Sequence, residues 1–324
     1  MGAVQSKRAR MNWTVWLSAM VVVLLLVAVG LRLLGETRWA DLMRTHTSQL
    51  NSARAEVQDP AQRPASTPTP SPPPSRFDVR ELEGLPAPVQ RYFRAVLKDG
   101  QPIIAAATID MAGTINMSAT SEQWKPFTST QRAVNSVAGA QPRLRPGFLW
   151  NASVTMFPGA PARVEDSYIA GQGQLIAKLF GLFTVAHTSG GGELARGEFM
   201  RYFAEAAWYP TALLPSQGVR WQAVDDASAN ATIVDGPISL SLLFRFDEAG
   251  LITSVHAESR GAGVAKKGRA EMLMLPWDCR YGDYQLQDGM LIPMTGEAAW
   301  VRPEGRKPYF VGQVKKLSYE LVPP

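Results

Sequence analysis

The chain is poor in the residues that most catalytic and metal chemistry requires: 324 residues contain one cysteine and three histidines. A lone Cys279 cannot close an intrachain disulfide, and no paired Cys/His spacing marks a zinc site. It reads as a small core residue rather than a nucleophile. His46 lies near the N-terminus, and His187 and His256 stand isolated in sequence. HExxH, G-x-S-x-G, S-x-x-K and phosphate-loop signatures are absent. Gly171-Gln172-Gly173 lacks the third glycine of a dinucleotide fingerprint, because Ile176 stands there. Gly190-Gly191-Gly192 precedes a helical pattern without the Lys-Ser/Thr of a phosphate loop, so both stretches read as turns. No metal or cofactor is implied, and no catalytic residue can be assigned.

A basic face is also missing. The formal charge is +5, but residues 1–76 hold nine Lys/Arg against four Asp/Glu, which accounts for all of it. Residues 77–324 carry 24 of each sign. Phosphate binding leaves a basic surplus on a domain, and here there is none to spread over one. Lys266, Lys267 and Arg269 form a local cluster that reads as a solvated loop. Nucleic acid is therefore not expected as a partner.

What the sequence does have is an uncharged run of residues 13–31 behind Lys7, Arg8 and Arg10. Nineteen residues at 1.5 Å each give about 28 Å, close to the roughly 30 Å hydrocarbon core of a bilayer. The run exceeds a signal-peptide core and continues through Leu33 and Leu34, so it reads as an uncleaved anchor. Trp13, Trp16 and Trp39 bracket it as interfacial aromatics would. The basic residues before it place the N-terminus inside and the bulk of the chain outside. The expected layout is a cytoplasmic tail (1–12), an anchor (13–34), a stalk with a proline-rich linker (35–76) and an extracytoplasmic domain (77–324). The expected location is the inner, cytoplasmic membrane, spanned once. In the stalk, Trp39, Leu42, Met43 and Leu50 have loosely helical spacing, and the prolines from Pro60 to Pro74 favour a semi-rigid spacer.

The remaining 250 or so residues suffice for a sizeable core. Residues 85–97 predict a short helix with Pro86 and Pro88 in its first turn and Val89, Tyr92, Phe93 and Val96 on one face. Alternation then predicts β-strands, clearest at residues 229–258, where Asp235-Gly236 and 247–250 supply turns. A second helix is expected at residues 193–208, stopped by Pro210. The fold class is therefore α+β, mainly antiparallel. About nine to eleven strands would form a strongly curved sheet or half-barrel wrapping one or two helices, behind a single transmembrane helix.

The stretch 201–210 is the most suggestive for function. Glu198, Arg201 and Glu205 are three and four apart and share a helix face. Arg201 and Glu205 can be polar anchors in an aromatic pocket with Trp208, Tyr209 and Trp221, or a solvated ion pair worth only ~0.2–0.5 kcal/mol. Both readings stay open at this point.

Leu85-Pro86-Ala87-Pro88-Val89-Gln90-Arg91-Tyr92-Phe93, together with Trp208-Tyr209-Pro210-Thr211-Ala212-Leu213-Leu214-Pro215, resembles a bacterial membrane-anchored family catalogued as a domain of unknown function. Pro146-Gly147-Phe148-Leu149-Trp150 and Leu291-Ile292-Pro293 fit the same pattern. This resemblance carries no established activity. Residues 284–293 look like the closing strands of periplasmic lipoprotein-carrier half-barrels, which implies a curved sheet around an apolar cavity. The leading expectation is binding of an apolar or lipid-like ligand, with the membrane as the other partner. An envelope hydrolase using Glu205, paired with Asp225, Asp226 or His256, is a second reading. A protein-interaction scaffold is a third.

Overall fold

The computed structural model describes residues 13–53, 75–118, 121–136, 144–157, 159–266 and 269–323. The N-terminal tail, the whole proline tract and Lys267 lie outside them. For Lys266 and Arg269 only the backbone is described, at the turn between two strands.

Among the described residues, thirteen strands make one open antiparallel sheet. They are β1 (Ile104–Asn116), β2 (Trp124–Val134), β3 (Gly147–Phe157), β4 (Ala160–Ile169), β5 (Gln172–Leu179), β6 (Phe183–Gly190), β7 (Arg220–Asp225), β8 (Ser228–Asp235), β9 (Ile238–Phe246), β10 (Ile252–Lys266), β11 (Arg269–Gln287), β12 (Met290–Arg302) and β13 (Gly305–Leu321). Their order is β6-β5-β4-β3-β2-β1-β13-β12-β11-β10-β9-β8-β7, so β6 and β7 are the edges and the chain ends pair at the middle through β1 and β13. Every other contact in the order is between sequence neighbours. The expected curved antiparallel sheet is thus present, with more strands than alternation alone reveals. Residues 290–302 form the single strand β12.

The two short helices occur where periodicity places them. Helix α2 (Ala87–Val96) begins with proline in its first turn and buries Val89, Tyr92, Phe93 and Val96. Helix α3 (Gly192–Ala204) has Glu193 in its first turn and Arg201 in its last, both favourable to the helix dipole. Short 3-10 turns carry the chain through Trp208 and Leu213, with Pro210 interrupting the helix. α3 packs on the inner face of the sheet, where Phe199 stacks on Tyr168 at 4.9 Å and Phe203 meets Phe244 edge-on at 5.7 Å.

The N-terminal helix α1 (Trp13–Ser52) is unbroken over 40 residues. Residues 16–34 are exposed and, apart from Arg32, uncharged, and the segment is long enough to cross a membrane. Beyond them the expectation of a free stalk is corrected. Trp39, Met43 and Leu50 are buried against Ala106, Val134, Leu149 and Ile176 on the outer face of β1, β2, β3 and β5. Trp39, read as an interfacial aromatic, is 3 % exposed and donates Nε1–H to Asn151 Oδ1 at 2.9 Å. Glu36 pairs with Arg163, and His46 Nδ1 meets the fully buried Glu165 at 2.8 Å. The helix looks polar in sequence because only one narrow stripe of it is covered.

Candidate functional site

The spacing of Glu198, Arg201 and Glu205 puts all three on one face of α3 and the turn that follows it, and that face points into the sheet. Arg201 Nε donates to Glu205 Oε1 at 2.8 Å, Nη1 to Asp166 Oδ2 at 2.5 Å and Nη2 to Gln131 Oε1 at 3.1 Å. Gln131 Nε2 returns a hydrogen bond to Glu205 Oε2 at 2.6 Å. The Arg201 guanidinium also lies over the rings of Phe148 (4.8 Å) and Trp150 (5.1 Å). It is therefore a buried network, and the solvated-pair reading is set aside.

A second arginine mirrors the first from β10. Arg260 Nε donates to the Gly197 carbonyl at 3.0 Å, Nη1 to the Tyr309 hydroxyl at 3.2 Å, and Nη2 lies 3.4 Å from Glu198 Oε1. Its guanidinium sits 4.5 Å from the Trp277 ring centre and 5.6 Å from that of Trp300. Two guanidiniums thus face three carboxyl groups, those of Asp166, Glu198 and Glu205. Burial pushes Glu198 up to about 8, with Asp166 reinforcing the rise and Arg260 and Arg201 opposing it. One retained proton on Glu198 balances the five groups. Burial works against the charge of Arg201, but Glu205 and Asp166 outweigh it and hold the guanidinium charged.

These groups border a cavity of about 230 Å³ between α3 and the sheet. Its apolar walls include Trp150, Trp208, Trp277, Tyr281, Tyr309 and Phe310. Trp208 is fixed by its Nε1–H bond to the Pro293 carbonyl at 2.9 Å, and Tyr281 by its hydroxyl bond to the Ala204 carbonyl at 2.8 Å. Trp208 lies so close to β12 that a Cβ at Gly296 would come within 2.7 Å of the indole. Trp150 Nε1–H and Asp166 Oδ1 are buried and have no hydrogen-bond partner among the described residues. Cys279 also lines the cavity, and burial pushes its thiol up to about 12, so it is unreactive at neutral pH.

Of the five residues expected at the site, Arg201, Glu205 and Trp208 line this cavity. Tyr209 is buried beside it, with its hydroxyl on the Tyr202 carbonyl at 2.5 Å. Trp221 lies elsewhere, donating to the Leu213 carbonyl at 3.0 Å and packing on Phe93 and Phe244. The partners suggested for Glu205 are not beside it. Asp225 and Asp226 occupy the β7–β8 turn, and His256 pairs with Asp278 at 2.6 Å. Sequence reasoning missed Arg260, Asp166 and Gln131, which come from strands 35 to 70 residues away from their partners on α3. An arginine amid the small residues of 260–263 was the one available signal.

The family of unknown function DUF6920 matches residues 83–319, which take in α2, α3 and all of the sheet except the last two residues of β13. The chain belongs to this family. The DUF6920 region thus contains every wall of the cavity, whereas α1 lies before it. No curated protein matches the chain. Among solved structures, a LolA superfamily protein from Nitrosomonas europaea is similar at 9% identity, over 73% of this chain and 93% of that one, with a TM-score of 0.38. A porin-like protein from Bacteroides uniformis is similar at 9% identity, over 68% of this chain and 96% of that one, with a TM-score of 0.21.

Proposed function

We propose that this protein is a single-pass, membrane-tethered receptor for an apolar or lipid-like molecule, held between the curved sheet and α3 on the extracytoplasmic side. The observation that carries the reading is the aromatic cavity with its pre-ordered ionic floor. Both arginines are already fixed by carboxylates, rings and carbonyls, so they shape the site without collapsing onto each other. The free polar capacity at the cavity is the Trp150 Nε1–H donor, which suits one hydroxyl or carbonyl oxygen on an otherwise apolar ligand.

Size narrows the class. Pockets for drug-sized ligands hold roughly 300–1,000 Å³, and this cavity is smaller at about 230 Å³. An outer groove of about 500 Å³ shares Tyr309 with it. A ligand with one buried segment and a longer remainder in the groove fits the pair. The hydrolase reading finds less support, since Glu198 carries the raised pKa but does not line the cavity, and Glu205 lines it but is held by Arg201 and Gln131.

Titrating the full-length protein with a dibrominated fatty acid tests this, because bromine quenches the cavity tryptophans. The wild type should quench saturably. Ala298→Phe, which fills the cavity from β12, should abolish that phase while the circular dichroism stays unchanged. Equal quenching in both proteins would count against the proposed site.

A further inference from the structure

The docked half of α1 fixes which end of the sheet meets the membrane. Gly35 lies against the β5–β6 hairpin tip, where a Cβ would overlap the Phe180 carbonyl oxygen and Gly181 approaches the Gly35 carbonyl in turn. At the other end, the Ala53 carbonyl accepts from Arg145 N–H at 3.2 Å, and Leu50 reaches Gly147 at the start of β3. The helix therefore runs down the outer face, and its apolar part leaves at the β5–β6 tip with no spacer. Residues 13–34 would extend about 33 Å at 1.5 Å per residue, one hydrocarbon thickness.

Antiparallel order brings the β1–β2, β3–β4, β10–β11 and β12–β13 hairpins to that same end. The β8–β9 turn, which order alone would send there too, curls instead to the other end, where Asp235 meets Arg145 and Tyr168. The tips and flanks of the hairpins at the β5–β6 end expose apolar side chains that have no place in the core. Phe157 is 68 % exposed, Phe183 59 % and Val185 65 %, and Met117 and Met272–Met274 are exposed as well. The β10–β11 hairpin reaches furthest, since Trp277 already pairs with Trp300 near the end of β12 while β11 begins at Arg269. Exposed apolar side chains elsewhere, such as Leu286, stand singly, which is ordinary for a protein surface. The outer groove opens on this rim between Met117, Glu122, Gly263, Arg302 and Lys307.

We infer that this hairpin rim is a bilayer-contact surface, and that the groove and cavity behind it open at the level of the lipid headgroups. The inference rests on the anchor reading. It names the surface that touches lipid and the direction from which the ligand enters. The aromatic and methionine tips supply the interfacial contacts. A ligand leaving the membrane then passes Tyr309, which stacks on Trp300 at 5.8 Å, to reach the inner cavity.

Depth-dependent quenching tests it on the full chain, in phosphatidylcholine/phosphatidylglycerol vesicles carrying shallow or deep nitroxide lipids. Single fluorophores are placed through Leu24→Cys in the span, Phe183→Cys and Phe157→Cys on the rim, and Glu248→Cys in the β9–β10 turn at the far end. Buried Cys279 stays unlabelled in the folded protein. Loss of fluorescence with the deep lipid at Leu24 and with the shallow lipid at both rim positions, with none at Glu248, is the expected result. Quenching at Leu24 without any at the rim would overturn the rim assignment and leave the anchor standing. Equal quenching at Glu248 and the rim would also overturn it, because the domain would then lie on its side. No quenching at Leu24 would remove the anchor and this inference together.

Discussion

At the scale of single residues, the ionic floor of the cavity makes sense only as a balanced set. Arg201 and Arg260 face Asp166, Glu198 and Glu205, and removing one member leaves a charge buried without its partner. Arg201→Met should therefore cost ~3–5 kcal/mol of stability, as loss of one side of a buried ion pair does, measured as a lower denaturation midpoint. Glu198 gives a pH test whose sign can be worked out. Its folded-state pKa is raised to about 8 from an ordinary 4.5. The retained proton then favours the folded state fully below pH 4.5, and that contribution is lost as pH rises to about 8. At ~1.4 kcal/mol per pKa unit, the loss amounts to a few kcal/mol. The thermal midpoint should fall between pH 5 and 8 in the wild type, and Glu198→Gln should flatten this fall. An unchanged slope in the variant would mean that another group holds the proton. Half of this network was legible in the sequence, because Glu198, Arg201 and Glu205 are local on one helix. The other half was not, because β-pairing alone brings Gln131, Asp166 and Arg260 to them.

At the scale of elements, legibility followed one-sidedness. β8 and β9 alternate buried and exposed residues cleanly, and their turn at Asp235-Gly236 could be read directly. β6 could not be read, since as an edge strand it is exposed along nearly its whole length and has no alternation of buried and exposed positions. α1 posed the opposite problem: its second half contributes a stripe too narrow to look like a core helix, yet that stripe closes a separate hydrophobic cluster on the outer face. Trp39→Ala should accordingly behave as a core truncation and cost ~3–5 kcal/mol. Hydrogen exchange should also rise selectively in residues 36–52, while α3 stays protected. Were α1 a free stalk, the substitution would leave both stability and exchange in the sheet unchanged.

At the scale of the whole molecule, the position of the proline tract decides how the domain would stand on the proposed anchor. A spacer must lie between the part that spans and the part that folds. Here residues 36–53 already belong to the folded part, and the chain rejoins it at Ser75, where the Ser75 carbonyl accepts from Ile103 N–H at 2.9 Å. The tract therefore connects two pieces of one unit and, on the proposed anchor, would add nothing to the distance from the membrane. That distance is set by an unbroken helix, which transmits position rigidly where a polyproline segment would allow the domain to swing. On the proposed anchor, a fixed stance would give the cavity a constant orientation to the bilayer, which the proposed loading from lipid needs and loading from solution does not. Replacing residues 60–74 with a Gly/Ser tract of equal length should leave the quenching depth of a Phe183→Cys probe unchanged. Inserting two residues into α1 after Leu34 should change it, because the docked face would turn by about 200° at 3.6 residues per turn relative to the span. A probe depth that follows the proline tract and ignores the insertion would restore the spacer and detach the rim from the membrane.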